Sequence, residues 1–220
     1  MAKRETLPKN CKLQIYDQPD AIHSSFIEIA TCISVPLTVA LHAVGPVTFP
    51  EREDRGIGHH LARSVIGQQL STKAARAIWA RVEAAALRAR VPIPEFFDLK
   101  CEERLRECGV SRNKIKALRS LHDAHREGLL SSDTLRRLDH ATRSQKLVSI
   151  WGIGQWTCDM ASIFYCRCPD VWPESDVAVQ KTFAGLIGLR NPKKTASHFT
   201  PYRSYLALTM WQFLDQRPQD

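Results

Sequence analysis

The sequence predicts an all-α protein, and three observations lead to this fold class. Apolar residues recur every three or four positions through most of the chain. Serine, threonine and glycine stand where helices would begin and end. No segment alternates apolar and polar residues for long enough to form a strand. With 220 residues, the chain can form one domain or two lobes with a buried core.

Composition narrows the class of partner. No apolar run reaches the roughly 20 residues that span a bilayer, and "MAKRETLPKN" lacks the apolar core of a secretory signal. We therefore expect a soluble intracellular protein with no membrane contact. A net charge of +8 suits a polyanionic partner, although ordinary surface charge explains it as well. The seven cysteines have no C-x-x-C spacing, so we expect reduced thiols rather than a zinc or iron–sulfur site.

Residues 1–20 are polar, and we expect a flexible tail there. Helical spacing from Ile22 to Leu37 predicts one helix, with Pro36 near its end. Three glycines and two prolines in residues 44–58 indicate a connector.

Residues 59–87 are strongly helical with one polar interruption, "GQQLST". Gly67 is a poor residue for a helix interior, and Ser71 is a good N-cap. Two helices are therefore predicted to meet at a tight turn that carries Gln68, Gln69 and Leu70.

The rest of the chain continues the helical pattern. Residues 92–99 predict a loop with a short helix, and Gly109 ends the helix after it. Ser111 begins a helix that ends at Gly128. Further helices are predicted at residues 133–138, at 140–150, and near Thr157–Tyr165, Val177–Ile187 and Tyr202–Leu214. Trp211 is assigned to the core.

The stretch "IWGIGQWTCDM" places Gly152 and Gly154 between two predicted helices. A nucleotide-binding glycine loop needs a strand before it, so this context excludes that reading. The pattern predicts a helix–hairpin–helix near residues 148–156, whose backbone N–H groups face the phosphates of a DNA strand. If only the two glycines are considered, a plain turn with glycine caps explains them better.

Asp176 follows this hairpin at a distance that allows the chain to return. A helix of about 11 residues covers roughly 16 Å, and the loop "CRCPDVWPES" then leads back toward the hairpin. Asp176 is therefore a candidate catalytic carboxylate. It is equally a candidate N-cap of the helix through Val179, and one carboxylate can do both.

Four motifs in order resemble a known family. "LVSIWGIGQWTCDMASIFYCRCPDVWPESDVAVQKTF" resembles the helix–hairpin–helix (HhH-GPD) DNA glycosylases. "SVIGQQLSTKAARAIWARV", "LRECGVSRNKIKALRSL" and "PYRSYLALTMWQF" are similar to the 3-methyladenine DNA glycosylase II, or AlkA-like, branch. The resemblance covers about residues 25–215.

This resemblance implies a bilobal helical fold, with residues 21–220 forming the glycosylase domain and no N-terminal β domain. It implies a monomer that binds double-stranded DNA across a cleft and needs no cofactor. An alkylated base of the 3-methyladenine or 7-methylguanine type is flipped out and hydrolysed off, leaving an abasic site. The compartment would be the cytoplasm with its nucleoid in a bacterium, or the nucleus in a eukaryote.

The resemblance also assigns roles to residues. Asp176 is the catalytic carboxylate. The base pocket has Trp156, Tyr202 and Met160, the last where some members have an aromatic residue. Gln69 and Leu70 fill the gap left by the flipped base. The remaining DNA contacts are Gln68, Ser71, Gly152, Ile153, Gly154 and Gln155. The carbonyl groups of Val148, Ile150 and Ile153 are those that hold Na⁺ or K⁺ in some members.

Two features qualify these assignments. Trp151 stands where the family often has proline. Bifunctional relatives carry a lysine nucleophile in the helix after the hairpin, where this chain has Gln155 and Trp156. A monofunctional hydrolase is therefore expected. The alternatives are a glycosylase for oxidised, deaminated or mismatched bases, and a non-catalytic protein that binds damaged DNA.

Overall fold

The computed structural model describes residues 18–51 and 55–216, apart from the side chain of Leu99. This part of the chain is helical and has no β-strand, which confirms the all-α prediction. The α-helices are α1 (Pro19–Thr31), α2 (Val35–Val44), α3 (Ile57–Gly67), α4 (Thr72–Ala89), α5 (Glu102–Glu107), α6 (Arg112–Arg126), α7 (Ser132–Arg137), α8 (His140–Val148), α9 (Gln155–Met160), α10 (Val177–Ile187), α11 (Pro192–Ala196) and α12 (Arg203–Asp215). A π-helical segment, Ala161–Tyr165, continues α9 directly.

The chain divides into two compact units. Of the described residues, the first unit comprises residues 18–50 and 168–216, and the second comprises residues 51 and 55–167. In the second unit, α3, α4, α6, α8 and α9 surround a continuous apolar core that runs in sequence from Ile57 to Tyr165. None of the helices in the described ranges combines the length and apolar character that a membrane-spanning segment needs.

The first unit is built from α1, α2, α10 and α12. Phe199 joins these elements, because its ring meets Phe26 of α1 at 5.0 Å and Phe183 of α10 at 6.4 Å between centroids. The Ser34 hydroxyl, which caps α2, also donates a hydrogen bond to the Leu186 carbonyl at 2.8 Å. This unit therefore holds α10, whose N-cap residue is Asp176, on an aromatic core.

The prediction of one helix from Ile22 to Leu37 is wrong. The structure ends α1 at Thr31 and starts α2 at Val35, with Pro36 in the first turn of α2. Proline fits there because the first N–H groups of a helix have no intrahelical partner. The predicted tail lies mostly outside the described residues, and α1 includes its last two, Pro19 and Asp20.

Helix α11 was not predicted, although the sequence contains its start signal. The Asn191 side chain accepts a hydrogen bond from the Lys194 N–H at 2.9 Å, and Pro192 is the first helical residue. This is the usual chemistry of a helix N-terminus. Its five residues are too few to show an apolar period.

The π-helical segment and α8 are joined by a buried arginine. Arg143, 1% exposed, donates hydrogen bonds to the Leu135 carbonyl at 2.8 Å, to the Leu138 carbonyl and to the Ser162 hydroxyl at 3.0 Å. These acceptors belong to α7, the loop after it and the π-helical segment. Arg143 thus fixes both helices that flank the hairpin.

Candidate functional site

The hairpin (residues 148–156) forms as predicted between α8 and α9. The chain turns with the Ile150 N–H bonded to the Leu147 carbonyl at 3.1 Å and the Ile153 N–H bonded to the Ile150 carbonyl at 3.0 Å. Ile150 and Ile153 are buried, whereas Val148, Trp151 and Gly154 are exposed. The apolar side chains therefore anchor the turn and leave its glycine-containing face on the surface.

Gly152 and Gly154 of the hairpin differ in why glycine suits each position. Gly152 has a φ of +87°, and a Cβ built on it would lie 2.3 Å from the Cβ of Ala117 in α6. A side chain here is excluded both by backbone conformation and by the close approach of α6. Gly154 has a φ of −98°, and a Cβ there would have nothing within 4 Å. Gly154 is the N-cap residue of α9 and presents open space in front of that helix.

The turn between α3 and α4 is tied to the hairpin. The Gln68 amide donates hydrogen bonds to the Gly152 carbonyl at 3.3 Å and to the Thr157 hydroxyl at 3.1 Å. Lys114 holds the same turn from α6, because its ammonium donates to the Ile66 and Gln68 carbonyls, each at 2.8 Å. Burial lowers the pKa of Lys114.

These contacts join the α3–α4 turn to the hairpin, two segments to which the family resemblance assigns DNA contacts. The Gln68 side chain supports the hairpin through these bonds. Gln69 has a φ of +57° at the apex of the turn, and the neighbouring Leu70 is exposed. Ser71 caps α4 by accepting a hydrogen bond from the Ala74 N–H at 3.3 Å. Contact of Gln68, Gln69, Leu70 and Ser71 with DNA remains a prediction.

The first turn of α9 is fixed by a buried carboxylate. Asp159 is 3% exposed, accepts a hydrogen bond from the Gln155 amide at 2.7 Å and lies 3.2 Å from His140 Nε2. The Gln155 amide also donates to the Ser144 hydroxyl at 3.4 Å. Gln155 was predicted to contact DNA, and these bonds leave its backbone N–H as the group suited to that role. No sequence signal singled out Asp159.

Asp176 is the N-cap of α10, as one of the two sequence interpretations proposed. The residue is 8% exposed, and its Oδ1 accepts hydrogen bonds from the Val179 N–H at 2.9 Å and from the Trp211 indole N–H at 3.3 Å. Trp211 was assigned to the core, but the structure gives it a polar role beside the candidate catalytic carboxylate. A buried carboxylate with two fixed donors keeps one orientation.

The predicted pocket residues fall in both units. Tyr202 belongs to the first unit, immediately before α12, and its ring packs edge-on against Tyr205 with 6.1 Å between centroids. Trp156 and Met160 belong to the second unit, on α9. Trp156 is half-buried and Met160 is buried. Their roles in base recognition remain predictions.

The three carbonyl groups proposed for a monovalent cation lie in the hairpin. The Ile150 carbonyl already accepts the Ile153 N–H, which leaves it one lone pair for a cation. The donor set is made of neutral oxygens, which suit Na⁺ or K⁺ and carry no charge to attract a divalent ion. Within the described residues, no group of three or more His, Cys, Asp or Glu side chains is arranged to hold a metal.

Comparison with known proteins identifies the family. No protein-family model matches the chain. A DNA-3-methyladenine glycosylase of Schizosaccharomyces pombe is 32% identical over 161 residues, which are 69% of this chain and 70% of that protein.

Solved structures agree with this relative. A 3-methyladenine DNA glycosylase of Schizosaccharomyces pombe in complex with abasic DNA has a TM-score of 0.73 and 27% identity, over 87% of this chain and 95% of that one. A DNA-3-methyladenine glycosidase of Bacillus halodurans has a TM-score of 0.71 and 29% identity, over 91% and 93%. The helix–hairpin–helix and the buried Asp176 thus occur in a chain that belongs to the 3-methyladenine DNA glycosylase family.

Proposed function

We propose that this protein is a monofunctional DNA glycosylase that removes alkylated bases from double-stranded DNA and acts as a monomer. The observation that carries the proposal is Asp176, a buried carboxylate held by two N–H donors at the start of α10. Family membership supports the reaction, and the hairpin supports the partner.

The main requirement of this reaction is a negative charge fixed near the sugar. Alkylation at N3 or N7 gives a purine a positive charge, so the base leaves as a neutral molecule without a general acid. The C1′–N bond breaks with its electron pair going to the base, and positive charge develops on the sugar. A carboxylate fixed beforehand stabilises that charge. Water then bonds to C1′ and loses a proton, which leaves an abasic site.

The remaining predicted residues fit the same reaction. A cationic base is attracted to the faces of aromatic rings, which gives Trp156 and Tyr202 a function in the base pocket. Base extrusion costs a few kcal/mol, and Gln69 and Leu70, at the apex of the α3–α4 turn, would offset part of it by filling the gap. The hairpin supplies contacts to phosphate that do not depend on sequence.

Hydrolysis rather than lyase chemistry follows from the helix after the hairpin. Residues 155–165 contain no lysine, so α9 and its π-helical continuation offer no amine for a Schiff base. DNA with one alkylated base should therefore be cleaved only after heating in alkali, and borohydride should trap no protein–DNA adduct. A trapped adduct would show that another amine, such as Lys146 or Lys181, acts as the nucleophile.

A bound Na⁺ or K⁺ at the carbonyl groups of Val148, Ile150 and Ile153 would add positive charge where the hairpin meets phosphate. This proposal needs no change in the reaction, because the cation supports DNA binding only. Replacing K⁺ by tetramethylammonium at constant ionic strength should weaken DNA binding if the ion is present.

The test is release of 3-methyladenine and 7-methylguanine from methylated duplex DNA, measured by mass spectrometry. The matched variant is Asp176→Asn, because asparagine is as good an N-cap as aspartate and keeps an oxygen for the two N–H donors. We expect release to fall at least about 100-fold, the usual effect of losing one electrostatic contact to a transition state. DNA binding should remain. Wild-type protein that binds damaged DNA and releases neither base would contradict the proposal and favour the non-catalytic alternative.

A further inference from the structure

An exposed aromatic side chain and an exposed cation meet beside the hairpin. Trp151 is 46% exposed, and the Lys116 ammonium of α6 lies 4.2 Å from the centroid of its ring. Trp151 directly precedes Gly152, and Lys116 directly precedes Ala117, against which Gly152 packs. The pair therefore lies where the hairpin meets α6.

The two segments that meet here favour an anionic partner. Residues 111–122 and 140–158 contain no aspartate or glutamate. Their cationic side chains are Arg112, Lys114, Lys116, Arg119, Arg143 and Lys146. Lys114 and Arg143 bind carbonyl groups inside the unit, and Arg119 lies 3.8 Å from Glu102. Lys116 is exposed, and its ammonium lies over the ring of Trp151.

We propose that Lys116 and Trp151 form an additional DNA contact, in which the Lys116 ammonium binds a backbone phosphate of the strand held by the hairpin. The inference rests on the proposed function, since it extends the same DNA interface. An ammonium has three N–H donors, and attraction to a ring face leaves them able to donate to phosphate oxygens.

Trp151 positions Lys116 in this contact. A lysine side chain loses much rotamer freedom when it binds, and the indole ring restricts it beforehand. The packing of Gly152 on Ala117 fixes the two backbones next to this pair, so ring and cation stay in register.

The experiment measures binding of a fluorescent duplex with a tetrahydrofuran abasic-site analogue over a range of KCl concentrations. Each phosphate contact contributes about −0.9 to the slope of log K against log salt. Lys116→Met should therefore reduce the slope by about 0.9 and weaken binding roughly eightfold at about 0.1 M salt. Trp151→Ala should weaken binding less, and Trp151→Phe should restore it, because phenylalanine also attracts cations.

Lys100→Met is the matched control, since Lys100 is exposed in the same unit but lies on neither segment. It should leave the slope unchanged. A Lys116→Met slope equal to wild type overturns this inference alone, provided that wild-type protein releases alkylated bases. An equal loss for Trp151→Ala and Trp151→Phe also overturns the role of the aromatic ring. A wild-type protein that does not bind the duplex would overturn the proposed function together with this inference.

Discussion

Gly152→Ala should destabilise the protein far more than the same change at Gly154. At Gly152 the φ of +87° is unfavourable for alanine by about 1–2 kcal/mol. The new Cβ would also lie 2.3 Å from the Ala117 Cβ, whereas carbon atoms in contact are normally about 3.5–4.0 Å apart. Such overpacking costs about 1–3 kcal/mol. The two effects together give about 2–5 kcal/mol.

This loss is a large share of a typical stability of about 5–15 kcal/mol. Urea unfolding followed by circular dichroism measures it, and with a slope of about 2 kcal/mol per M the midpoint should fall by roughly 1–2.5 M. Gly154→Ala is the control, because a Cβ there has nothing within 4 Å and φ is −98°. Its free energy of unfolding should fall by at most about 1 kcal/mol, because alanine is a poorer N-cap residue than glycine.

A double mutant separates backbone conformation from packing. Ala117→Gly alone should cost about 1 kcal/mol of helix stability. Combined with Gly152→Ala, it removes the contact at 2.3 Å, and the double mutant should be about 1–3 kcal/mol more stable than the sum of the single changes. Strict additivity would refute the packing argument. Equal midpoints for Gly152→Ala and Gly154→Ala would refute the whole account of the hairpin.

Three further predictions concern the site and its surroundings. Gly154→Asp should weaken binding to all DNA sequences alike, because aspartate repels phosphate. The protein should stay folded, because aspartate is a good N-cap residue. A loss of affinity confined to some sequences, measured by competition binding, would contradict this prediction. Trp211→Phe removes the indole N–H that donates to Asp176. Single-turnover base release should slow roughly tenfold, because losing a hydrogen bond to a charged group costs about 1.4 kcal/mol. DNA affinity should not change. Burial raises the pKa of Cys158 to about 12, so this thiol stays protonated at neutral pH. Iodoacetamide should therefore modify the exposed Cys32 and leave Cys158 unreacted. Early modification of Cys158, found by peptide mapping, would argue against its burial.

Local signals predicted the helices well because their chemistry is local. Ser71 and Ser111 begin α4 and α6 by accepting hydrogen bonds from N–H groups three residues ahead, as their positions in the sequence indicate. Gly109 and Gly128 have φ of +90° and +74° just after helices end, which glycine adopts readily. The error at Pro36 has the same local origin, since proline ends one helix and begins another with equal ease. Spacing alone did not separate these two outcomes.

The supporting contacts of the site could not be predicted, because they join residues far apart in the sequence. Gln68 reaches Gly152 and Thr157 across more than 80 positions, and a glutamine in a turn carries no sign of such partners. The structure shows that the Gln68 side chain holds the α3–α4 turn and the hairpin together. The DNA contacts proposed for the hairpin backbone are thus tied to the position of the turn that carries Gln69.

The capping role of Asp176 is compatible with the catalytic role proposed for it. The first backbone N–H groups of a helix have no other partner, and they hold an N-cap carboxylate in one orientation. No second side chain is needed for this. In this chain Trp211, 35 positions away, adds a second donor to the same oxygen. In the proposed mechanism, the start of α10 therefore supplies a negative charge that is in place before the sugar becomes positive. A capping residue chosen only for stability could be serine or asparagine, and only the charge distinguishes aspartate from them. Asp176→Asn tests that charge while it retains the cap.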